Sequence, residues 1–231
     1  DLRAEDAART IGEPEALRFG FYIYGWRQVP VDTSVIGEKA NATRPEIEQI
    51  MLSPPPGLTG EALERALFLC RKRIEKRVAA AGHQHFYLCS FSARQLIYKG
   101  MFLAEHIDEF YPDLRDERFS AAVAIFHQRY STNTFPEWRL AQPFRMLAHN
   151  GEINTKKGNV NWMRSHEIRM AADAFGEMGD DVKPVIQDPH GSDSMALDNT
   201  FEVLVRAGRD APMAKALLMP EAWNARSDEQ I

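Results

Sequence analysis

The chain lacks any apolar run near the roughly 20 residues an α-helix needs to cross a bilayer, and no charged-then-apolar leader opens it. It holds only two cysteines, Cys70 and Cys89, in 231 residues, which excludes a disulfide scaffold. It has no surplus of positive charge either. Lys and Arg number 28 against 33 Asp and Glu, a formal net charge of -5, which argues against a nucleic-acid binder. Repeats and low-complexity tracts are missing. A cytoplasmic setting and no membrane partner are the resulting expectations. With 44% hydrophobic residues, the chain can bury a sizeable core as one large domain or two small ones, and one unit is the expectation.

What is present reads as a mixture of helices and strands. Residues 2–6 are polar and helix-forming. The aromatic, glycine-punctuated run 19–26 reads as a strand, and 45–52 as another. Three prolines and a glycine at 54–57 make a surface connection. From Thr59, a helix N-cap, to Gly82, the stripe Leu63, Leu67, Cys70, Ile74, Val78 marks a helix packed on a sheet. Its basic residues, Arg71 to Arg73 with Lys76 and Arg77, read as a solvated face. Residues 86–91 and 96–99 read as paired strands, 101–110 as a short helix, and 162–175 and 194–207 as further helices. Both thiols are expected to be buried and inert.

The densest chemistry lies between Phe126 and Glu167. The apolar run 121–126, read as a strand, leads into His127, Gln128, Arg129, Tyr130, Ser131 and Thr132, and a second apolar pair, Leu147 and Ala148, leads into His149, Asn150, Gly151 and Glu152. Two strand ends would bring a guanidinium and an Asn-Gly corner to one sheet edge. A guanidinium pairs bidentately with a carboxylate, and fixed donors at a turn suit a developing oxyanion. Simpler roles stand beside these: a structural ion pair for Arg129, and a tight hairpin turn for Asn150 and Gly151. Asp193, just ahead of a helix, suits an N-cap. The spacing of His127, His149, His83 and His85 matches no metal motif, so no metal is expected. Residues 151–158 lack the order of a phosphate loop.

The block HQRYSTNTFPEWRLAQPFRMLAHNGEIN (127–154), followed by NVNWMR (159–164), resembles the class II glutamine amidotransferase domain of glutamate synthases, over residues 17–199 or so. The resemblance implies an α+β fold, a four-layer αββα sandwich of the N-terminal-nucleophile hydrolase type, with two antiparallel sheets between helical layers. It implies that residues 1–231 are part of a single amidotransferase domain, without the downstream synthase domains. The family's nucleophile is an N-terminal cysteine. Residue 1 here is aspartate, so the expectation is an internal piece of the domain, incomplete in its sandwich and inactive alone.

The resemblance also implies roles. Arg129 would bind the α-carboxylate of L-glutamine and Asp193 its α-amino group. Asn150, through its side-chain amide, and Gly151, through its backbone N–H, would form the oxyanion hole. The activity implied is hydrolysis of glutamine to glutamate and ammonia, the ammonia passing to 2-oxoglutarate. No cofactor is expected within this chain; FMN and an iron–sulfur cluster are implied for the complete enzyme. Implied partners are the remaining synthase domains and a small reductase subunit, in the cytoplasm or, for a plant-type enzyme, a plastid. Two alternatives stand: another class II amidotransferase serving a different acceptor, and a non-catalytic remnant that binds glutamine or a partner.

Overall fold

A computed structural model describes residues 2–130, 134–151, 153, 155–170 and 173–219, with only the backbone of residues 2–5 and 7. Helix α1 (Leu2–Arg18) ends at Gly20, whose φ of 78° favours glycine, and the chain enters β1 (Tyr22–Gln28). After a short α2 (Glu38–Ala42), β2 (Glu48–Ser53) returns antiparallel to β1, pairing Tyr22 with Ser53 and Gln28 with Glu48. The register shifts between Ile23 and Gly25, a bulge at which Gly25 adopts φ 143°.

Helix α3 (Gly60–Ala80) is the centre of the molecule. Thr59 holds the N-cap position without a side-chain cap bond. At the other end Gly82 takes φ 93°, and the His83 N–H reaches back to the Val78 carbonyl at 3.2 Å, satisfying the last turn. One face, Leu63, Leu67, Cys70, Ile74 and Val78, packs on Ala16 of α1 and on Phe21, with Ile23 and Leu52 beside them. Phe68 and Leu69 face the other way, onto Phe175, Val182, Val185 and Val203. Burying each such side chain contributes about 1.5–3 kcal/mol.

The later elements are α4 (Ile107–Phe110), α5 (Lys156–Glu167), α6 (Asp193–Arg206) and α7 (Ala211–Leu218). An aromatic cluster of Phe110, Tyr111 and Trp138 with Val29 joins the middle of the chain to β1.

The α+β class stands, with one two-stranded sheet among the described residues. Several expectations are corrected. Residues 86–91 and 96–99 are not strands: side chains join them, the Ile97 N–H donating to Ser90 Oγ and the Cys89 thiol to the Ile97 carbonyl, both at 3.4 Å. Residues 121–126 run without secondary structure, and no strand pairs with them among the described residues. Val123, Ile125 and Phe126 there are 70–80% exposed. The helix expected at 162–175 starts earlier, at Lys156, because Val160 and Met163 meet Ile186 and Ala196, and tightened turns at Arg169 and Met170 end it. At 101–110 only Ile107–Phe110 is α-helical. The basic face of α3 is not solvated throughout: Arg71 and Lys72 are buried.

That burial is possible because the charges balance. Arg71 donates from Nη1 to Glu75 at 2.9 Å and from Nη2 to Glu202 on α6 at 2.5 Å. Arg145 adds a bond to Glu75 at 3.1 Å. Burial would raise the Glu75 carboxyl, but Arg71, Arg145 and Lys72 together hold it below the usual carboxylate range. Lys72 donates to the Pro184 carbonyl at 3.2 Å, and burial pushes its ammonium down to about 8.

Candidate functional site

Four chain segments meet at the N-terminus of α6. Ser192 caps the helix, its Oγ accepting from the Met195 N–H at 3.0 Å. The cap is thus Ser192, and Asp193 is the first helical residue. Asp193 is buried, and its Oδ1 accepts from the Ser194 backbone N–H at 2.6 Å and from Ser194 Oγ at 3.1 Å. A carboxylate in the first helical turn also lies at the positive end of the helix dipole.

The loop before the helix is pinned. Arg139 donates to Asp188 Oδ2 at 2.6 Å, while Asp188 Oδ1 accepts from the His190 N–H at 2.8 Å. Burial would raise the Asp188 carboxyl; the Arg139 guanidinium and the His190 and Gly191 amides outweigh it and hold it low. Lys156, opening α5, bonds the Gly191 carbonyl.

The segment bearing Asn150 is built as a closed loop from Gln142 to His149. The Gln142 amide spans it, Oε1 accepting from the His149 N–H at 3.0 Å and Nε2 donating to the His149 carbonyl at 3.3 Å. Within it the Phe144 N–H meets the Leu147 carbonyl at 2.9 Å, and the Met146 N–H meets Asp198 Oδ1 of α6 at 2.7 Å. Below, Lys99 Nζ holds the carbonyls of Ala141 at 2.8 Å and Arg139 at 2.9 Å. Phe144, Leu140 and Met195 pack together with Tyr130 and Leu147, so the loop, the helix and the Arg129 segment share one small core.

Two histidines tie the segments. His127 Nδ1 accepts from the Arg129 N–H at 3.0 Å, and its Nε2 meets the His149 carbonyl at 2.8 Å. His149 repeats the pattern: Nδ1 accepts from the Gly151 N–H at 3.2 Å, and Nε2 meets Ser194 Oγ at 2.7 Å. Residues 127–129, 149–151 and 192–194 are therefore joined by one hydrogen-bonded chain that reaches Asp193. Tyr130 completes the arrangement, its hydroxyl donating to the Gly100 carbonyl at 3.0 Å.

Of the four expected site residues, Asp193 is buried, while Arg129, Asn150 and Gly151 are exposed, and this chain of bonds joins their segments to its own. Ser131, Thr132 and Glu152 of the same motif lie outside the described residues. Sequence reasoning gave His127 and His149 no role here and passed over Gln142, Ser194 and Asp198. The signal available for the histidines was their shared placement, each two residues ahead of an expected site residue. Among the described residues no cluster of three or more metal-ligating side chains exists, and no helix is long and apolar enough to cross a membrane.

Comparison with known proteins agrees with the motif block. A sequence profile described as "Glutamine amidotransferases class-II" matches residues 1–230. The chain is 62% identical over 221 residues to the glutamate synthase [NADPH] large chain of Azospirillum brasilense, covering 96% of this chain and 14% of that protein. It is 44% identical over 205 residues to a chloroplastic ferredoxin-dependent glutamate synthase of Oryza sativa subsp. japonica, covering 88% and 13%. A Bacillus subtilis glutamate synthase [NADPH] large chain gives 42% over 205 residues, again 88% and 13%. The chain thus spans only 13–14% of the length of these relatives. A profile match running from end to end, on a chain whose Arg129, Asn150-Gly151 and Asp193 segments meet at one helix end, fixes the family: the chain belongs to the class II glutamine amidotransferases.

Proposed function

We propose that this chain is the glutamine-binding part of the glutaminase domain of a glutamate synthase. In this reading L-glutamine is hydrolysed to glutamate and ammonia, and the ammonia is transferred to 2-oxoglutarate elsewhere in the complete polypeptide. The observation that carries it is the His127, His149, Ser194 chain of bonds linking Arg129, the Asn150-Gly151 corner and Asp193. Those groups are chemically matched to an amino acid amide. The Arg129 guanidinium takes the α-carboxylate, the Asp193 carboxylate takes the α-ammonium, and the Asn150 amide with the Gly151 N–H faces the oxygen of the tetrahedral intermediate.

The attacking thiolate comes from neither cysteine of this chain. Burial pushes the Cys70 thiol up to about 12, and burial also raises Cys89. The family's N-terminal cysteine is the group this geometry would serve. Its four-layer sandwich would be completed by further strands: Tyr22, Tyr24 and Met51 leave one side of the β1/β2 sheet exposed, and residues 121–126 are uncovered. Residues 1–231 would then be part of one amidotransferase domain, in the cytoplasm or a plastid. The FMN and iron–sulfur cluster of a complete synthase would sit elsewhere, since two thiols, one buried and one partly buried, cannot supply the four that a cluster takes. A small reductase subunit would engage those other parts.

Replacing Arg129 by Ala in a full-length protein carrying this domain tests the reading. Because Arg129 is exposed, the lost charge-assisted pair costs about 1.5–3 kcal/mol, seen as a raised KM for glutamine. Ammonia-dependent glutamate formation stays intact. Equal loss of both activities would assign the arginine to folding instead.

A further inference from the structure

His127 and His149 use their rings identically. In each, Nδ1 faces a backbone N–H two residues ahead, of Arg129 at 3.0 Å and of Gly151 at 3.2 Å. A backbone N–H can only donate, so Nδ1 is the acceptor in both rings and Nε2 carries the proton. The Nε2 protons are then committed outward: His127 donates to the His149 carbonyl at 2.8 Å, and His149 donates to Ser194 Oγ at 2.7 Å. Ser194 Oγ, having accepted, passes its own proton to Asp193 Oδ1 at 3.1 Å. Every donor in the series has one acceptor, and the direction runs from the Arg129 segment to the Asp193 carboxylate.

The His149 carbonyl is the hub. It belongs to the peptide that precedes Asn150, and it accepts from both His127 Nε2 and Gln142 Nε2. With Gln142 Oε1 on the His149 N–H at 3.0 Å, the peptides on either side of His149 are held. The His149 ring then fixes the next amide but one, the Gly151 N–H. In the resting site that N–H is aimed and paired; a developing oxyanion, being charged, is a stronger acceptor than a neutral imidazole nitrogen.

We propose that His149, oriented by His127, is a positioning residue that connects the two halves of the site, aiming the Gly151 N–H through Nδ1 and the Asp193 carboxylate through Nε2 and Ser194. The assignment rests on the glutaminase reading above. It gives the two ring nitrogens separable jobs: one bears on the transition state, the other on substrate binding.

Two variants in a full-length protein carrying this domain separate those jobs. His149→Gln keeps a donor toward Ser194 but removes the Nδ1 acceptor; kcat for glutamine hydrolysis falls about 10²-fold while KM stays within about threefold. His149→Asn keeps an acceptor where Nδ1 lies but removes the reach to Ser194; KM rises about tenfold while kcat stays within about threefold. A purely structural histidine would shift kcat, KM and thermal midpoint together in both variants, and that result, or wild-type kinetics in both, overturns the assignment. Should either variant fail to fold, His127 supplies the measurement: His127→Gln, retaining the Nε2-like donor, recovers most of the kcat lost in His127→Ala, and no recovery overturns the proposal. A wild-type protein that releases no ammonia from glutamine would remove the functional reading and this one with it. An active wild type without the split removes this one alone.

Discussion

Asp198 on α6 accepts the Met146 backbone N–H at 2.7 Å, so a fully buried carboxylate holds the middle of the loop that leads to Asn150. Among the described residues its second oxygen, Oδ2, has no hydrogen-bond partner. Burial, with Glu202 nearby, pushes its carboxyl up to about 6 from 3.8, against the pull of Arg145 and Arg71. A raised folded-state value means that the stabilising contribution is complete below about pH 4 and is lost as pH rises through about 6. The loss is on the order of 3 kcal/mol. Asp198→Asn keeps an acceptor for Met146 without the charge, so its stability should gain on wild type between pH 4 and pH 7. Urea unfolding curves that stay parallel across that range would contradict this.

Arg71 and Glu202 should be sensitive to single replacement. Glu202→Ala leaves a buried guanidinium with Glu75 alone, and the expected cost is about 3–5 kcal/mol in denaturant-induced unfolding. A loss below about 1 kcal/mol would mean that the pair is not closed in solution.

Neither thiol should react in the native state. Cys70, buried and raised to about 12, and Cys89, only partly buried but also raised, should be protected from an aromatic disulfide reagent at pH 8 and should both titrate in denaturant. Rapid native labelling of Cys89, with loss of any ammonia release from glutamine, would make it the nucleophile and refute the assignment above.

Asn150 separates oxyanion donor from turn residue. Asn150→Ala in a full-length protein should lower kcat for glutamine hydrolysis about 10²–10³-fold with little change in KM. Asn150→Asp should be at least as damaging, because it sets a negative charge where the oxyanion forms. Asp-Gly suits hairpin turns almost as well as Asn-Gly, so near-normal turnover by that variant would leave Asn150 a structural residue.

The elements legible in the sequence were those with local patterns. The α3 stripe from Leu63 to Val78, the β1 and β2 runs, and α6 stand within a few residues of expectation. What periodicity could not show was burial of charge. Arg71 and Lys72 look like surface residues until Glu202, 131 positions later in sequence than Arg71, packs against them. The strands expected at 86–91 and 121–126 failed for a related reason: an apolar run favours extension, but a ladder needs a partner that composition does not specify. At the site, residue types offered Arg129 and the Asn150-Gly151 corner, and the family resemblance added Asp193. The connecting groups Gln142 and Asp198 were invisible because their task depends on distances across the fold, and His149 showed only its placement two residues ahead of Gly151.

Residues 121–126 also govern how this polypeptide behaves in a test tube. Their side chains, Val123, Ile125 and Phe126 above all, stand in solvent on a backbone with no ladder beside it among the described residues. Such an exposed apolar segment invites association with a second chain. The 231-residue chain on its own should therefore lose solubility steeply with concentration, and its amides at 121–126 should exchange with deuterium as fast as those of a free peptide, while the amides of α3 wait for global unfolding.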